Sequence, residues 1–193
     1  METQATETLT EVHKLKYTAG DIEKLYKAGI LHEDDRIELV EGEIFYMSPI
    51  NFPHAQCVNK LTDIFNQQLR DTHFVNAQNP LRLDHQSIVQ PDLAIFERGA
   101  FFSLTDHPTS NMVKLLIEVA NSSYQADRKI KLPKYAEGGI TEVWIVNLQE
   151  HAIEVFTQPR DKQYLSQQTY LSDQSVPTPF QFSIAVQDIL PSN

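Results

Sequence analysis

The run Val113-Lys114-Leu115-Leu116-Ile117-Glu118-Val119-Ala120 is the most apolar strand-like segment of the chain. Its three consecutive apolar residues, Leu115 to Ile117, leave no polar face, which is typical of a strand covered on both sides. Glu118 interrupts the run near its end. An ionised carboxylate in such a strand is costly unless it is paired, hydrogen-bonded or metal-bound. The run therefore predicts a central strand that carries a candidate site residue.

A second carboxylate stands in another apolar run. Asp92 follows Pro91 and precedes Leu93-Ala94-Ile95-Phe96, within a strand predicted over Val89–Phe96. Two carboxylates on neighbouring strands can share a divalent cation, because Mg²⁺ prefers carboxylate and water oxygens. The alternative is that each carboxylate forms a salt bridge or caps a strand end, and the spacing alone does not choose between the two.

The segment Arg36–Ser48 alternates apolar and polar residues around Glu41-Gly42, which predicts a hairpin with a two-residue turn. One face of this hairpin is expected to be buried, and its residues are Ile37, Leu39, Ile44 and Tyr46. The other face has Glu38, Val40, Glu43 and Phe45. A one-residue slip in register would exchange the two faces.

The remaining pattern interleaves helices and strands. Thr18 and Asp21 form a capping box that opens a short helix ending at Gly29. Further helices are predicted over His54–Leu69 and over Gln125–Glu137, and further strands over Leu81–Leu83, Glu142–Leu148, Ala152–Thr157 and Gln163–Tyr170, with a closing strand or helical turn within Pro177–Leu190. Hairpins are too frequent for a doubly wound parallel fold. The pattern favours an α/β (α+β) fold, a mixed sheet flanked by helices.

The segment Asp127-Arg128-Lys129-Ile130-Lys131-Leu132-Pro133-Lys134-Tyr135 holds four of the chain's 16 basic residues. On a helix, Lys131 and Tyr135 share a face, with Asp127 one turn behind. A lysine beside a metal-bound carboxylate can orient the attacking water and offset phosphate charge. The alternative is a solvated basic helix face. Because methionine keeps most of the aliphatic volume, Lys131→Met is expected to leave folding nearly unchanged.

The composition limits the classes of protein to which the chain can belong. The chain has 193 residues, a formal net charge of −10 and one cysteine, Cys57, which suits a reducing, cytoplasmic location. No segment is apolar enough to cross a membrane or to act as a signal peptide. Residues 1–16 are predicted to be a flexible arm and residues 17–193 one domain. The negative charge argues against permanent association with nucleic acid, but it does not exclude an enzyme that visits nucleic acid.

Asp92 after Pro91, then Glu118, then a lysine resembles the PD-(D/E)XK nuclease superfamily. Within it, the chain closely resembles the Uma-type family of restriction endonucleases, from about Tyr17 to Leu190. The stretches that carry the resemblance are Glu38-Leu39-Val40-Glu41-Gly42-Glu43-Ile44, Met47-Ser48-Pro49, His54, Gln90-Pro91-Asp92-Leu93-Ala94, Ile117-Glu118-Val119, Asp127-Arg128, Lys131-Leu132-Pro133-Lys134-Tyr135-Ala136 and Glu142-Val143-Trp144-Ile145-Val146. Each motif is weak alone, and their order and spacing together are specific.

The resemblance implies a restriction-endonuclease-like core and a site for Mg²⁺, with Mn²⁺ as an alternative. Its metal ligands would be Asp92, Glu118 and the carbonyl of Val119. Where the superfamily has its lysine, two residues after the acidic residue, this chain has Ala120, and Lys131 of the following helix is the matching residue. The resemblance also supports His54 as a site residue and, more weakly, Glu38, while Glu43 matches the family pattern as well.

These observations predict a metal-dependent endonuclease that hydrolyses phosphodiester bonds of nucleic acid, with DNA favoured over RNA. Nucleases that cut both strands often pair two sites, so a homodimer is expected. A different class stays open: a nuclease fold that no longer cuts and serves as a binding or structural module. A third possibility is a metal-dependent hydrolase of small phosphorylated metabolites.

Overall fold

The computed structural model describes residues 14–32, 34–47 and 49–191. Most of the predicted N-terminal arm, residues 1–13, lies outside the described residues, as do Glu33, Ser48, Ser192 and Asn193. The helices are α1 (Ala19–Lys27), α2 (Phe52–Leu69), α3 (Arg98–Phe102), α4 (Tyr124–Ala126), α5 (Leu132–Glu137) and α6 (Val186–Ile189). None of the helices in these ranges is long and apolar enough to cross a membrane.

The strands form one large sheet, one smaller sheet and a hairpin. They are β1 (Ile37–Val40), β2 (Glu43–Tyr46), β3 (His73–Ala77), β4 (Leu81–Asp84), β5 (Ser87–Val89), β6 (Leu93–Glu97), β7 (Val113–Ala120), β8 (Glu142–Asn147), β9 (Ala152–Arg160), β10 (Gln163–Leu171), β11 (Ser175–Pro177) and β12 (Ser183–Ala185). The large sheet has the order β10-β9-β8-β7-β6-β3, the smaller sheet β2-β1-β5-β4, and β11 pairs with β12. Within the large sheet β7 and β8 are parallel, whereas the other neighbours are antiparallel. The predicted mixed sheet is confirmed.

Both faces of the large sheet are covered, as the apolar run of β7 predicts. On one face Ile117 and Trp144 belong to a buried cluster that includes residues of α2, α6 and the β11–β12 hairpin. On the other face Leu116 and Ile145 pack in a second cluster with residues of α5 and the smaller sheet. Glu118 is two residues after Leu116 on β7, so its side chain lies on the same face and points toward this second cluster.

The predicted strand Val89–Phe96 is wrong, because it is two strands in two different sheets. β5 ends at Val89 in the smaller sheet and β6 begins at Leu93 in the large one. Pro91 between them has no N–H to give to a ladder. The amide of Gln90 instead donates to Glu38 Oε1 at 2.8 Å. The break puts Asp92 at the junction of the two sheets. The edge strand β3 was not predicted at all.

The hairpin has the predicted register, with Ile37 opposite Tyr46 and Leu39 opposite Ile44. Glu41 and Gly42 both have positive φ, 50° and 76°, as a type I′ turn requires. The predicted burial is confirmed for Ile37 and Leu39, is partial for Ile44 and is wrong for Tyr46, which is 75% exposed. Tyr46 is the last residue of β2, which lies at the edge of the smaller sheet.

The helix predicted over Gln125–Glu137 is not uniform. It begins as α4, passes through a π-helical turn over Asp127–Lys131 and continues as α5. Pro133 accounts for the change, because it cannot donate to the carbonyl four residues before it. The capping box of Thr18 and Asp21 at α1 is confirmed. α2 begins at Phe52 and is capped by Asn51, whose side chain accepts the His54 amide.

Two glycines allow a test of the hairpin turn. At Gly42 a Cβ would lie 2.8 Å from Lys16 Cβ and 3.1 Å from the Tyr17 carbonyl, whereas at Gly29, with φ +68°, it would meet nothing within 4 Å. Gly29→Ala should lower the free energy of unfolding by about 1–2 kcal/mol, the cost of the left-handed conformation alone. Gly42→Ala should cost more, because the close contact adds to it. Denaturant unfolding of both variants measures the difference, and equal losses would contradict the contact.

Candidate active site

The register of the large sheet brings Asp92 and Glu118 together. Leu93 on β6 pairs with Ile117 on β7. One step further along this antiparallel pair, Asp92 stands opposite Glu118, and both side chains lie on the face of the second buried cluster. The Asp92 amide is 3.4 Å from Glu118 Oε2. The two carboxylates are thus on one face of the sheet, as a shared cation requires.

Asp92 is held by three donors. Its Oδ2 accepts the Val119 amide at 2.8 Å and lies 3.0 Å from His54 Nε2. Its Oδ1 accepts the side-chain amide of Gln78 at 3.1 Å. Val119 therefore contacts the site through its N–H, while its carbonyl as a metal ligand stays a prediction. These contacts fix the orientation of a carboxylate that burial would otherwise disfavour.

His54 enters the site from the first turn of α2. The cap by Asn51 sets that turn, since Asn51 Oδ1 accepts the His54 amide at 3.0 Å. With its Nε2 on Asp92, its Nδ1 is buried and has no hydrogen-bond partner among the described residues. The structure thus brings His54 to Asp92, and its role stays a prediction.

Lys131 returns to the sheet from the helical segment after β7. Its Nζ is buried and lies 2.9 Å from Glu38 Oε1, 3.1 Å from Glu118 Oε1 and 3.5 Å from Asp127 Oδ1. The interpretation of a solvated basic face is wrong for Lys131, because this side of the helix packs against the sheet. For a lysine of the helix to reach Glu118, this side of the helix has to face the sheet, as it does.

Glu38 reaches the same point from β1 of the smaller sheet. Its Oε1 accepts the Gln90 amide and contacts Lys131. Glu43, on the next strand, is partly exposed and pairs with Lys16 at 2.8 Å. The structure brings Glu38 to Asp92 and Glu118, and it does not bring Glu43 there.

Three further residues contact this cluster. The Tyr135 hydroxyl donates to Glu118 Oε1, Asp127 pairs with Lys131, and Gln78 donates to Asp92. The sequence could identify Asp127 and Tyr135 as neighbours of the site, because both are one helical turn from Lys131. It could not identify Gln78, because this loop residue, with φ 53°, reaches Asp92 only through the tertiary fold.

The site is short of positive charge. Its four buried carboxylates are Glu38, Asp92, Glu118 and Asp127, and all but Asp92 contact the ammonium of Lys131. Burial is the largest cause that raises the pKa of Glu118, to about 8, and it outweighs the opposing effect of Lys131. Burial also raises the pKa of Asp127. Burial acts to lower the pKa of Lys131, but the carboxylates outweigh it and raise that pKa, so the ammonium stays charged.

This donor set fits a divalent cation by its chemistry. Buried carboxylate oxygens with too little counter-charge are the ligands that Mg²⁺ and Mn²⁺ take. Among the described residues, however, no three His, Cys, Asp or Glu side chains are already grouped at metal-binding distances. Lys131 instead lies against the Glu38 and Glu118 oxygens. Asp92 and Glu118 are the pair that would hold the ion.

The predicted residues Glu38, His54, Asp92, Glu118 and Lys131 all line one cavity of about 220 Å³. Over residues 20–187 the sequence matches Uma2, the family described as "Putative restriction endonuclease". The chain belongs to the Uma2 family. A search of curated proteins gives no match.

One solved structure confirms the restriction-endonuclease-like fold of this Uma2 chain. A putative nuclease belonging to DUF820 from Anabaena variabilis ATCC 29413 is similar, with a TM-score of 0.68 and 15% identity, over 86% of this chain and 96% of that one. The type IIG restriction endonuclease BpuSI has a TM-score of 0.41 and 18% identity, over 70% of this chain and 14% of that one, a likeness too low to support an argument.

Glu118→Gln tests whether the buried carboxyl of Glu118 makes the stability of the protein depend on pH. Because the pKa of Glu118 is raised in the folded state, the folded protein binds more protons than the unfolded chain between about pH 5 and pH 8. The parent protein should therefore lose stability relative to Glu118→Gln as pH rises through this window, by up to about 1.4 kcal/mol per pH unit.

Denaturant unfolding in EDTA at several pH values measures this difference. Glu43→Gln is the control, because its hydrogen bond with Lys16 lowers the pKa of Glu43 and no such trend is expected there. A constant difference between the parent and Glu118→Gln across the window would contradict the prediction.

Proposed function

We propose that this Uma2 protein is a metal-dependent endonuclease that hydrolyses phosphodiester bonds of nucleic acid. The observation that carries the proposal is the contact of Lys131 with Glu118, at 3.1 Å, on the same sheet face as Asp92. This arrangement joins two carboxylates and one lysine from three separate segments. A structural ion pair alone needs one carboxylate, whereas this site buries four.

Each residue has a role in this proposal. Mg²⁺, or Mn²⁺ in its place, would polarise the phosphate and lower the pKa of a water molecule when held by Asp92 and Glu118. Lys131 would orient the attacking water and stabilise charge on the phosphate. His54 and the Val119 amide hold Asp92, and Tyr135 holds Glu118, so that both carboxylates keep a fixed geometry.

The proposed substrate is DNA rather than RNA, and the proposed assembly is a cytoplasmic homodimer. The family description supports a nucleic-acid substrate. With a net charge of −10, the chain as a whole repels a polyanion. The approach of a phosphate therefore depends on positive charge at the site itself, from Lys131, Arg36 and a bound cation.

Cleavage of labelled DNA and RNA in Mg²⁺, in Mn²⁺ and in EDTA tests the proposal. We expect products with either cation and none in EDTA, because the carboxylates alone supply no positive charge to the phosphate. Intact substrates under all conditions, with protein shown to be folded, would favour a noncatalytic binding module. Hydrolysis of mononucleotides but not of polymers would favour a metabolite hydrolase.

Lys131→Met tests the lysine. The sequence alone predicts that this change leaves folding nearly unaffected, but the Lys131 ammonium lies within 3.5 Å of three carboxylates, which favours a loss of stability. Loss of the counter-ion should cost about 3–5 kcal/mol of stability, less whatever the carboxylates recover by taking up protons. Cleavage per folded molecule should fall by at least about 100-fold. Lys131→Arg keeps the positive charge and is expected to be more stable than Lys131→Met, so it is a second variant for comparing cleavage per folded molecule.

Lys134→Met is the matched control. Lys134 is a buried lysine of the same helical segment and pairs with Asp84 at 2.9 Å and Glu137 at 2.6 Å, away from the cavity. Its loss should lower stability and leave cleavage by the folded protein unchanged. Equal cleavage by Lys131→Met and Lys134→Met, with the folded fraction measured by circular dichroism, would remove Lys131 from the mechanism.

A further inference from the structure

The side chains that line the cavity at the site are of two kinds. One kind is the cluster of carboxylates and Lys131 described above. The other kind forms an apolar wall that comes mainly from the β1–β2 hairpin and the loop after it. Its side chains are Val40, Phe45, Met47, Pro49, Ile50 and Ile130.

Nothing in the proposed hydrolysis uses this apolar wall. A phosphate, a cation and an attacking water molecule are all polar and contact only the carboxylate side. An apolar wall within the same cavity fits a less polar part of the substrate next to the phosphate. In nucleic acid the largest flat surface of low polarity near the phosphate is the face of a base.

The mouth of the cavity carries an exposed ring. Tyr46 lines the cavity yet is 75% exposed, although the sequence pattern assigns it to a buried face. Ile50 and Ile130 beside the cavity are also exposed, at 42% and 37%. A tyrosine ring at such a position is suited to stacking on a base.

Polar side chains also line the cavity, where they can meet the edge of a base. They are Asn121 and Ser122, in the loop after β7, and Asn51, whose Oδ1 already accepts the His54 amide. Amide and hydroxyl groups both donate and accept hydrogen bonds. With a volume of about 220 Å³, below the roughly 300–1,000 Å³ of pockets for drug-sized ligands, the cavity is suited to one ring system.

We propose that this cavity receives one unpaired nucleobase beside the scissile phosphate, so that the substrate is single-stranded nucleic acid or a single-stranded segment. This inference rests on the proposed nuclease function. In a duplex the bases are stacked and paired, and none reaches a cavity of this kind without leaving the helix. Duplex binding also depends on many phosphate contacts. Among the described residues that line the cavity, the Lys and Arg side chains are Arg36 and Lys131.

The first test compares substrates. A labelled DNA strand and the blunt duplex of the same sequence are incubated with the protein in Mg²⁺, with an RNA strand as a third arm. We expect kcat/KM for the single strands to exceed that for the duplex by at least about tenfold, which corresponds to about 1.4 kcal/mol. Equal or faster cleavage of the duplex would overturn the inference and leave the nuclease function standing.

The second test concerns Tyr46. Tyr46→Ala should raise KM for single strands by about tenfold, within the range measured for loss of one stacked base, with a smaller change in kcat. Tyr46→Phe keeps the ring and should restore the parent KM. Phe102→Ala is the control, because Phe102 is an aromatic residue that is 60% exposed and does not line the cavity. If Tyr46→Ala behaves like Phe102→Ala, the base site is wrong.

A binding measurement distinguishes the two proposals. Fluorescence anisotropy of a labelled single strand with Glu118→Gln should show binding that Tyr46→Ala in the same background weakens about tenfold and Phe102→Ala does not. If the parent protein cleaves nothing but this pattern holds, the nuclease proposal fails and the base site stands. If no single strand binds, the base site fails.

Discussion

The contact on which the site depends is that of the Lys131 ammonium with Glu38, Glu118 and Asp127. These carboxylates come from the smaller sheet, from the central strand of the large sheet and from the helical segment between β7 and β8. One buried cation therefore joins three layers, alongside the Lys134–Asp84 ion pair and the hydrogen bond from the Gln90 amide to Glu38. Because hydrophobic packing is non-directional, it leaves the alignment of layers loosely defined, whereas charged hydrogen bonds require particular atoms to meet. Lys131 is thus one of the directional contacts between the smaller sheet and the large one.

The same contact leaves the cluster poorly compensated. One ammonium cannot balance four buried carboxylates. Burial is the largest cause of the raised pKa of Glu118, and the neighbouring carboxylates raise this pKa further. A core selected for stability alone would replace such residues by apolar side chains of similar volume, often at no cost. Retaining them sacrifices stability, which is the usual pattern where the charge itself is needed for function. The same reasoning applies to Tyr135 and Gln78, because each donates a hydrogen bond that holds one carboxylate in place.

The sequence was most informative where local pattern and burial agree. Glu118 within an apolar run, the turn at Glu41-Gly42 and the capping box at Thr18 all depend on neighbours in sequence, and the structure has each of them as predicted. The failures depend on distant contacts. The strand predicted through Gln90 breaks because the Gln90 amide meets Glu38, 52 residues away. Tyr46 is exposed at the end of an edge strand, beyond the part of β2 whose side chains are partly buried, and no local pattern reveals where that packing stops. Gln78 reaches Asp92 from a loop whose conformation the sequence did not indicate.

The position of the lysine follows from the core around Ala120. Ala120 is fully buried and belongs to the same apolar cluster as Val143 and Ile140. A lysine there would have to place its ammonium among apolar side chains, which costs far more than a buried charge that is paired. Lys131 instead comes from the helical segment after β7, and its ammonium contacts three carboxylates. It stands at the end of the π-helical turn, two residues before Pro133, so the local backbone that presents it is constrained. A lysine at position 120 in place of Lys131 would therefore require a different core as well as a different site.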